Sequence, residues 1–403
     1  MHLERSAPPN IFDTIFHPYF FPNMIILAPP YVSEELKDYL ENTQTAVLKN
    51  DVALAAAGSR RFNFVDDAEA RERAARGERV YTTSENALEW VLKNVPDESV
   101  SRAVSAMKDK AAMRRLLQSV YPDFFFREVS AAELRALKFE ELPCPVVLKP
   151  SVGFFSVGVY TIRTREDWLN ALDDIEKTSS RWSELYPENV LGNGRFIIEK
   201  YIGGDEYAVD VCFDDRGNAV VLNVLKHDFA SESDVSDRLY YTSKEIILEN
   251  LAPLTDFFNR VNGFLGARNF PAHVELRIDG GRIVPVEFNP MRFAGWCSTD
   301  VAFFAFGLRT YDYFLNGRKP DWEKLLAGKD GTLYTMIVLN KPNPCPPVGA
   351  FDYDALCAKF ERVLSMRAMD FRRLSVFGFM FTETRDRREL DFIVRSDLTE
   401  FIR

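Results

Sequence analysis

Apolar runs along this chain are short and change period repeatedly, which predicts several small mixed α/β units. Residues 23–28 read as a buried strand ended by Pro29-Pro30, and Ser33 as the cap of a helix over 34–41. Helical spacing predicts further helices over 83–94, about 105–119 with Pro122 as its stop, 168–177 and 243–264. Strands are predicted over 145–150, 195–202, 207–213 and 333–339, with Val209, Val211 and Phe213 on one face. The polar stretch 227–242 has no periodicity and reads as a mobile loop. Beyond residue 340 come a Pro-rich turn, a helix over 353–364 and a closing strand–helix segment, to which the pattern attaches no chemistry. There is no internal repeat and no low-complexity tract.

Residues 273–290 carry the most information. Two alternating strands flank Asp279-Gly280-Gly281, with Val274, Leu276, Ile278, Val284, Val286 and Phe288 as the apolar set. Burying all six on one face pairs 278 near 284, 276 near 286 and 274 near 288, through an odd-length loop. The same register sets Glu275 across from Glu287 and His273 across from Asn289. Facing carboxylates repel, and a divalent cation on oxygen ligands is one remedy. An exposed charged face relieved by Arg277 is the other, and the hairpin alone does not choose between them.

Composition narrows the field. A 46% hydrophobic, 27% charged chain is ordinary for a soluble globular protein, and 403 residues suffice for two or three domains. The net charge of −10 argues against a general nucleic-acid or acidic-membrane surface. The apolar runs are too short to span a bilayer and no signal peptide is evident, so a cytoplasmic location is expected. Five scattered cysteines without a Cys-x-x-Cys pair read as reduced thiols, and four histidines make a His-rich zinc site an unsuitable expectation.

Lys149 ends a strand and meets a loop containing Ser151, Gly153, Ser156 and Gly158, whose backbone N–H groups could cradle phosphate oxygens. An ordinary strand-turn explains the glycines equally well, but leaves Phe154-Phe155 wet at the loop tip. Glu199-Lys200-Tyr201-Ile202 leaves a strand, turns at Gly203-Gly204 and reaches Glu206. A carboxylate at such a bend can accept an adenine amino group, or can simply be a solvated Glu–Lys pair.

Taken in chain order, these pieces resemble the ATP-grasp superfamily, to which D-alanine–D-alanine ligase and biotin carboxylase belong. They are Asp109-Lys110, Val-Leu-Lys149-Pro with its Gly/Ser loop, Glu199-Lys-Tyr-Ile with Gly204 and Glu206, Glu275, and Glu287-Phe-Asn289-Pro-Met-Arg292. The likeness covers roughly 20–320. It implies an α/β (α+β) ATP-grasp fold: a Rossmann-like pre-ATP-grasp domain over 1–104, a small lid subdomain over 105–190, a large antiparallel-sheet subdomain with the metal site over 191–320, and an extension of unassigned role over 321–403. It further implies that Lys110 and Lys149 hold phosphates under the 151–158 loop. Glu199, Lys200, Tyr201 and Ile202 would form the adenine hinge, Glu206 would meet the ribose, and Glu275, Glu287 and Asn289 would bind Mg2+ (or Mn2+). Arg292, with Lys149, would act on an acyl phosphate.

The activity implied is ATP- and Mg-dependent ligation of a carboxylate to an amine, releasing ADP, on small-molecule substrates, with no nucleic acid or membrane partner and with room for a homodimer. Bulky Phe154-Phe155 depart from the small residues many members have there. A thiol-ligating enzyme and a non-catalytic ATP-binding regulator are the alternatives, the second disfavoured by Glu275, Glu287, Asn289 and Arg292 together. A biotin-dependent carboxylase lacks a biotin-carrying region here. An NAD-linked enzyme lacks Gly-x-Gly-x-x-Gly after Ala28.

Overall fold

The computed structural model describes residues 23–152, 158–185, 194–231, 236–342 and 344–403. Its first sheet is parallel, formed by β1 (Met24–Ile26), β2 (Ala46–Leu48), β3 (Asn63–Val65) and β4 (Val80–Thr82) in the order β3-β2-β1-β4. β1, β2 and β4 are fully buried, as expected for short apolar strands with helices between them. Ser33 caps the helix Glu34–Thr43 by accepting from the Leu36 N–H, so this part of the sequence reading holds.

A second, antiparallel sheet consists of β5 (Phe126–Ser130), β6 (Val146–Pro150), β7 (Tyr160–Ile162) and β8 (Arg195–Lys200), ordered β5-β8-β6-β7. The helix Arg165–Leu185 packs Trp168, Ala171 and Ile175 into its separate small core with Val129, Leu148 and Ile198.

The third sheet has eight strands. They are β9 (Asp205–Phe213), β10 (Ala219–Asp228), β11 (Leu239–Thr242), β12 (Phe270–Asp279), β13 (Arg282–Pro290), β14 (Leu333–Asn340), β15 (Val363–Ala368) and β16 (Val376–Thr384), ordered β13-β12-β9-β10-β11-β14-β16-β15. Residues beyond 321 therefore complete this sheet, supplying three of its strands. One face buries Val209, Val211, Val274 and Leu276 in a core shared with the helix Lys244–Leu265 and the parallel sheet. Thr82 ties the two sheets: its N–H and hydroxyl both donate to the Met291 carbonyl, at 3.0 and 3.1 Å.

Four expectations need correction. The helix expected over 105–119 is two helices, Glu98–Lys108 and Lys110–Leu116. Asp109 is extended between them (φ −97°, ψ 107°), and its Oδ1 accepts from the N–H groups of Ala111 and Ala112. A short acid that caps a new helix competes with continuing the old one. The helix expected from 83 begins as a 3-10 turn, Glu85–Ala87, before Leu88–Asn94. The loop over 227–242 is shorter than expected: β10 runs to Asp228 and β11 starts at Leu239. Finally, the helix over 353–364 stops at Cys357 and the chain re-enters the sheet as β15.

Candidate active site

The hairpin of β12 and β13 pairs Glu275 with Glu287 and His273 with Asn289, as the alternation requires. It gets there by another route. Asp279 pairs with Arg282 around a two-residue Gly280-Gly281 turn, both glycines at positive φ (53° and 82°), instead of an odd-length loop. That turn alone would oppose Glu275 to Val286. A bulge after Pro285 inserts Val286 and restores Glu287 to the position opposite Glu275. β13 is an edge strand, where a proline lacking its N–H is tolerated.

The two carboxylates are not equivalent. Glu287 Oε1 lies 2.7 Å from Lys110 Nζ. Burial acts to raise Glu287, but Lys110, with Lys149 and Lys108, outweighs it and holds the carboxyl below its usual range. Glu275 has no hydrogen-bond partner among the described residues. Burial first, then the facing Glu287, Asp237 and Glu206, push its carboxyl well above the usual range. Asn289 is buried and its amide is likewise without a described partner.

Beside this pair, Glu199 is buried between two cations: Oε1 lies 2.7 Å from Lys149 Nζ and Oε2 2.6 Å from Arg114 Nε. Burial would raise Glu199, yet Arg114 and Lys149 bring it down to about 2. Burial lowers Lys149, with Lys110 and Arg114 adding to it and Glu199 opposing. Backbone bonds lock the cluster: the Lys110 N–H donates to the Ser151 carbonyl at 2.9 Å and the Ser151 N–H to the Arg195 carbonyl at 3.0 Å. The Ser151 hydroxyl is buried without a described partner. Gly158 is at φ 73°, and Gly153 and Ser156 lie outside the described residues, as do Phe154 and Phe155.

At the bend after β8, the Lys200 N–H donates to the Phe125 carbonyl and the Tyr201 N–H to the Pro145 carbonyl. Arg277 donates to the Tyr201 hydroxyl at 3.1 Å, the Ile202 carbonyl at 2.9 Å and Glu206 at 2.9 Å. Glu206 also meets His227 Nδ1 at 3.2 Å. A β-carbon on Gly204 (φ 92°) would stand 2.3 Å from the Ile278 carbonyl oxygen, so only glycine lets this bend lie against the hairpin. Arg292 donates to the Phe293 carbonyl at 2.9 Å and to Glu85 at 3.3 Å, and Lys108 contacts the same Glu85.

The geometry thus gathers Lys110, Lys149, Ser151, Glu199, Glu275, Glu287 and Asn289 around the junction of the two antiparallel sheets. A family model described as an ATP-grasp domain matches residues 142–300. That stretch of the chain is similar to an ATP-grasp domain. The fold of this chain is shared almost end to end with several solved structures. An L-amino acid ligase from Bacillus licheniformis is 17% identical, covering 94% of this chain and 98% of that one at a TM-score of 0.64. N5-carboxyaminoimidazole ribonucleotide synthetase from Thermotoga maritima is 16% identical, with coverage of 94% and 98% and a TM-score of 0.60. The biotin carboxylase domain of the Hydrogenobacter thermophilus 2-oxoglutarate carboxylase, solved with MgADP, ADP and bicarbonate, is 13% identical, with coverage of 90% and 86% and a TM-score of 0.58. None of the curated proteins compared matches the sequence. At these identities the likeness establishes the fold.

Within residues 142–300 and their flanks, the sequence reading missed several residues. Arg114 stands four positions after Lys110 on one helix, so both face the same side, a spacing visible beforehand. Arg277 was read only as relief for the acidic pair, whereas it braces the bend. Asp210 was unmarked. It is buried and accepts from His273 Nδ1 at 2.8 Å, the Ala294 N–H at 2.9 Å and the Thr299 hydroxyl at 2.7 Å. It anchors the segment that follows Arg292. Nothing local in the sequence distinguishes it from other strand acids.

Proposed function

We propose that the protein is an ADP-forming ligase that activates a carboxylate with ATP and joins it to an amine. The observation that carries this reading is the facing pair Glu275 and Glu287 beside Lys110 and the Lys149–Glu199–Arg114 cluster, inside an ATP-grasp fold. Two opposed carboxylates and a neutral amide oxygen suit Mg2+ or Mn2+, which complete their shell with water and phosphate oxygens. Among the described residues no group of three or more His, Cys, Asp or Glu side chains gathers as a metal set, so two acids with Asn289 are the donor set to test. The partnerless Glu275 carboxyl and Asn289 amide fit that role. A divalent ion there would offset charge on the β- and γ-phosphates.

On this reading Lys110 exchanges Glu287 for a phosphate oxygen, and Lys149 does the same beside the Ser151 hydroxyl and the 151–158 loop. The bend at Glu199, Lys200, Tyr201 and Ile202 receives adenine, with Glu206 near the ribose. The substrate carboxylate oxygen attacks the γ-phosphorus as its bond to the β–γ bridging oxygen breaks, giving an acyl phosphate and ADP. Amine attack on the acyl carbon then expels phosphate and forms the amide. The protein's share is to align these groups and to stabilise charge on the oxygens, with Arg292 set to face the acyl phosphate. The division at 104, the small-molecule partners and a homodimer belong to the same proposal, whereas the divisions expected at 190 and 320 each cut through a sheet, since β8 joins β5–β7 and β14–β16 join β9–β13. Among the described residues no helix is long and apolar enough to cross a membrane.

The test supplies ATP, Mg2+ and pooled acids and amines, reading ADP release and a product lighter than the sum of its parts by one water. Glu287→Gln should abolish Mg-dependent ADP release while the circular dichroism spectrum stays unchanged. Undiminished turnover would exclude the metal role. Arg292→Ala should lower kcat far more than ATP affinity.

A further inference from the structure

Lys108 is the last residue of the helix Glu98–Lys108 and Lys110 the first of the next, with Asp109 extended between them. In one continuous helix, residues two apart do not share a side. The break at Asp109 lets both lysines reach the same crevice: Lys110 goes to Glu287 and Lys108 to Glu85. Glu85 stands just beyond β4, at the C-terminal edge of the parallel sheet, and opens the turn Glu85–Ala87. Lys108 meets its Oε2, and Arg292 Nη2 lies 3.3 Å from its Oε1. One carboxylate therefore bridges two cations, with side chains only 12% exposed for Glu85, 14% for Arg292 and 23% for Lys108.

The stretch from Thr82 to Glu85 grips the arginine segment twice. Thr82 donates to the Met291 carbonyl through its N–H and its hydroxyl, and Glu85 takes the guanidinium three residues on. Met291 sits at φ 64°, a conformation that a side-chain-bearing residue keeps only where its surroundings impose it. The triplet also lies within electrostatic reach of the facing acids. Arg292 works against the upward shift of Glu275, Lys108 helps to hold Glu287 down, and Glu85 supports the charge on Lys110.

Two cations around one carboxylate leave a single positive charge, which a monoanion completes. The phosphates are already given Lys110 and Lys149, and Lys108 has no part in that set. An ionised acid has to be drawn out of water and held for attack, and paired cationic donors do both. Glu85 offsets the repulsion between the two cations and fixes their heads before the acid arrives. Resting on the ligase reading, we infer that Lys108 and Arg292 together hold the carboxylate of the acid substrate, and that Glu85 is the positioning residue that sets the two cations around it.

The experiment uses the full chain with ATP and Mg2+, and hydroxylamine as acceptor, so that an activated acid is read as hydroxamate together with ADP. The acid that gives most hydroxamate in a pooled screen is then titrated. Lys108→Met should raise KM for that acid by about tenfold, while KM for ATP and the affinity for ADP stay within about twofold. Lys108→Arg, which keeps the charge, should restore most of the loss. Glu85→Gln keeps the shape without the charge and should lower kcat/KM for the acid by about tenfold. Combining it with Lys108→Met should cost less than the two losses together, because the residues act as one unit. An unchanged acid KM in Lys108→Met, whatever its Tm, would make the pair purely structural and overturn the inference alone. An equal rise in KM for ATP and acid would put Lys108 on the nucleotide and overturn it too. No hydroxamate from any acid with the wild type would overturn the ligase reading, and the inference with it.

Discussion

Glu275 and Glu287 face each other across paired strands, and only Glu287 has a cation beside it. Lys110 holds Glu287 ionised, while burial and that same Glu287 favour a proton on Glu275. A carboxyl whose folded-state value is raised costs stability above its unfolded value of about 4.3, and the cost grows as pH rises through that range. Glu275→Gln should therefore stabilise the ligand-free protein, raising Tm at pH 7 by about 2 °C or more, while removing divalent-ion binding. The gap between variant and wild type should close as pH falls toward about 4, where both forms of the wild type carry the proton. Differential scanning fluorimetry from pH 4 to 8 checks the sign: a variant that melts lower than the wild type at pH 7 contradicts it. Glu199 runs the other way. Held down to about 2 by Arg114 and Lys149 against its burial, it adds stability above about pH 4.3 that is lost as pH falls toward 2. Arg114→Met leaves a buried carboxylate with one cation and should cost about 3–5 kcal/mol in urea unfolding.

At the scale of elements, the break at Asp109 is what aims Lys110. The helix Lys110–Leu116 starts anew there, and its first N–H reaches Ser151 at 2.9 Å. Asp109→Ala removes the cap, costs about 1 kcal/mol, and favours fusion with Glu98–Lys108, turning Lys110 away from Glu287. ADP should then bind more weakly by calorimetry even where the fold persists; unchanged affinity would show that the cap is only structural. This break was hard to read because Asp is compatible with a helix interior as well as with a cap. The facing acids were legible for the opposite reason: period-two alternation fixes side-chain faces wherever one face is buried. What alternation could not supply was the route, since a tight Gly280-Gly281 turn and a bulge at Val286 offset one another and leave the same pairing. Arg114 was legible from its i,i+4 spacing. The Asp210 anchor was not, because its partners at 273, 294 and 299 come from two other segments. Val363 and Leu364 read as the end of a helix over 353–364, and only the neighbouring β16 makes them the start of a strand.

At the scale of the whole molecule, one side chain joins the three parts of the chain. Arg367 on β15 is buried and donates to Glu35 of the helix Glu34–Thr43 and to Asp300, each at 2.7 Å, as well as to the Cys297 carbonyl. Its guanidinium also lies 4.5 Å over the Phe381 ring. The parallel sheet, the segment after Arg292 and the last strands therefore share one charge cluster. Burial raises Asp300 and Arg367 opposes it, so removing the arginine leaves an acid that must take up a proton or stay charged without its partner. Arg367→Met, similar in length and uncharged, should cost about 3–5 kcal/mol, and the loss should shrink as pH falls and Asp300 protonates. Adding Asp300→Asn should recover part of it, because the uncompensated charge is then gone. If the cluster couples the three parts, Arg367→Met should raise amide exchange together at 34–36, at 294–300 and along β15. Faster exchange confined to β15 would mean that the arginine serves its own strand alone, and that the parallel sheet and the Arg292 segment are held in place by packing without it.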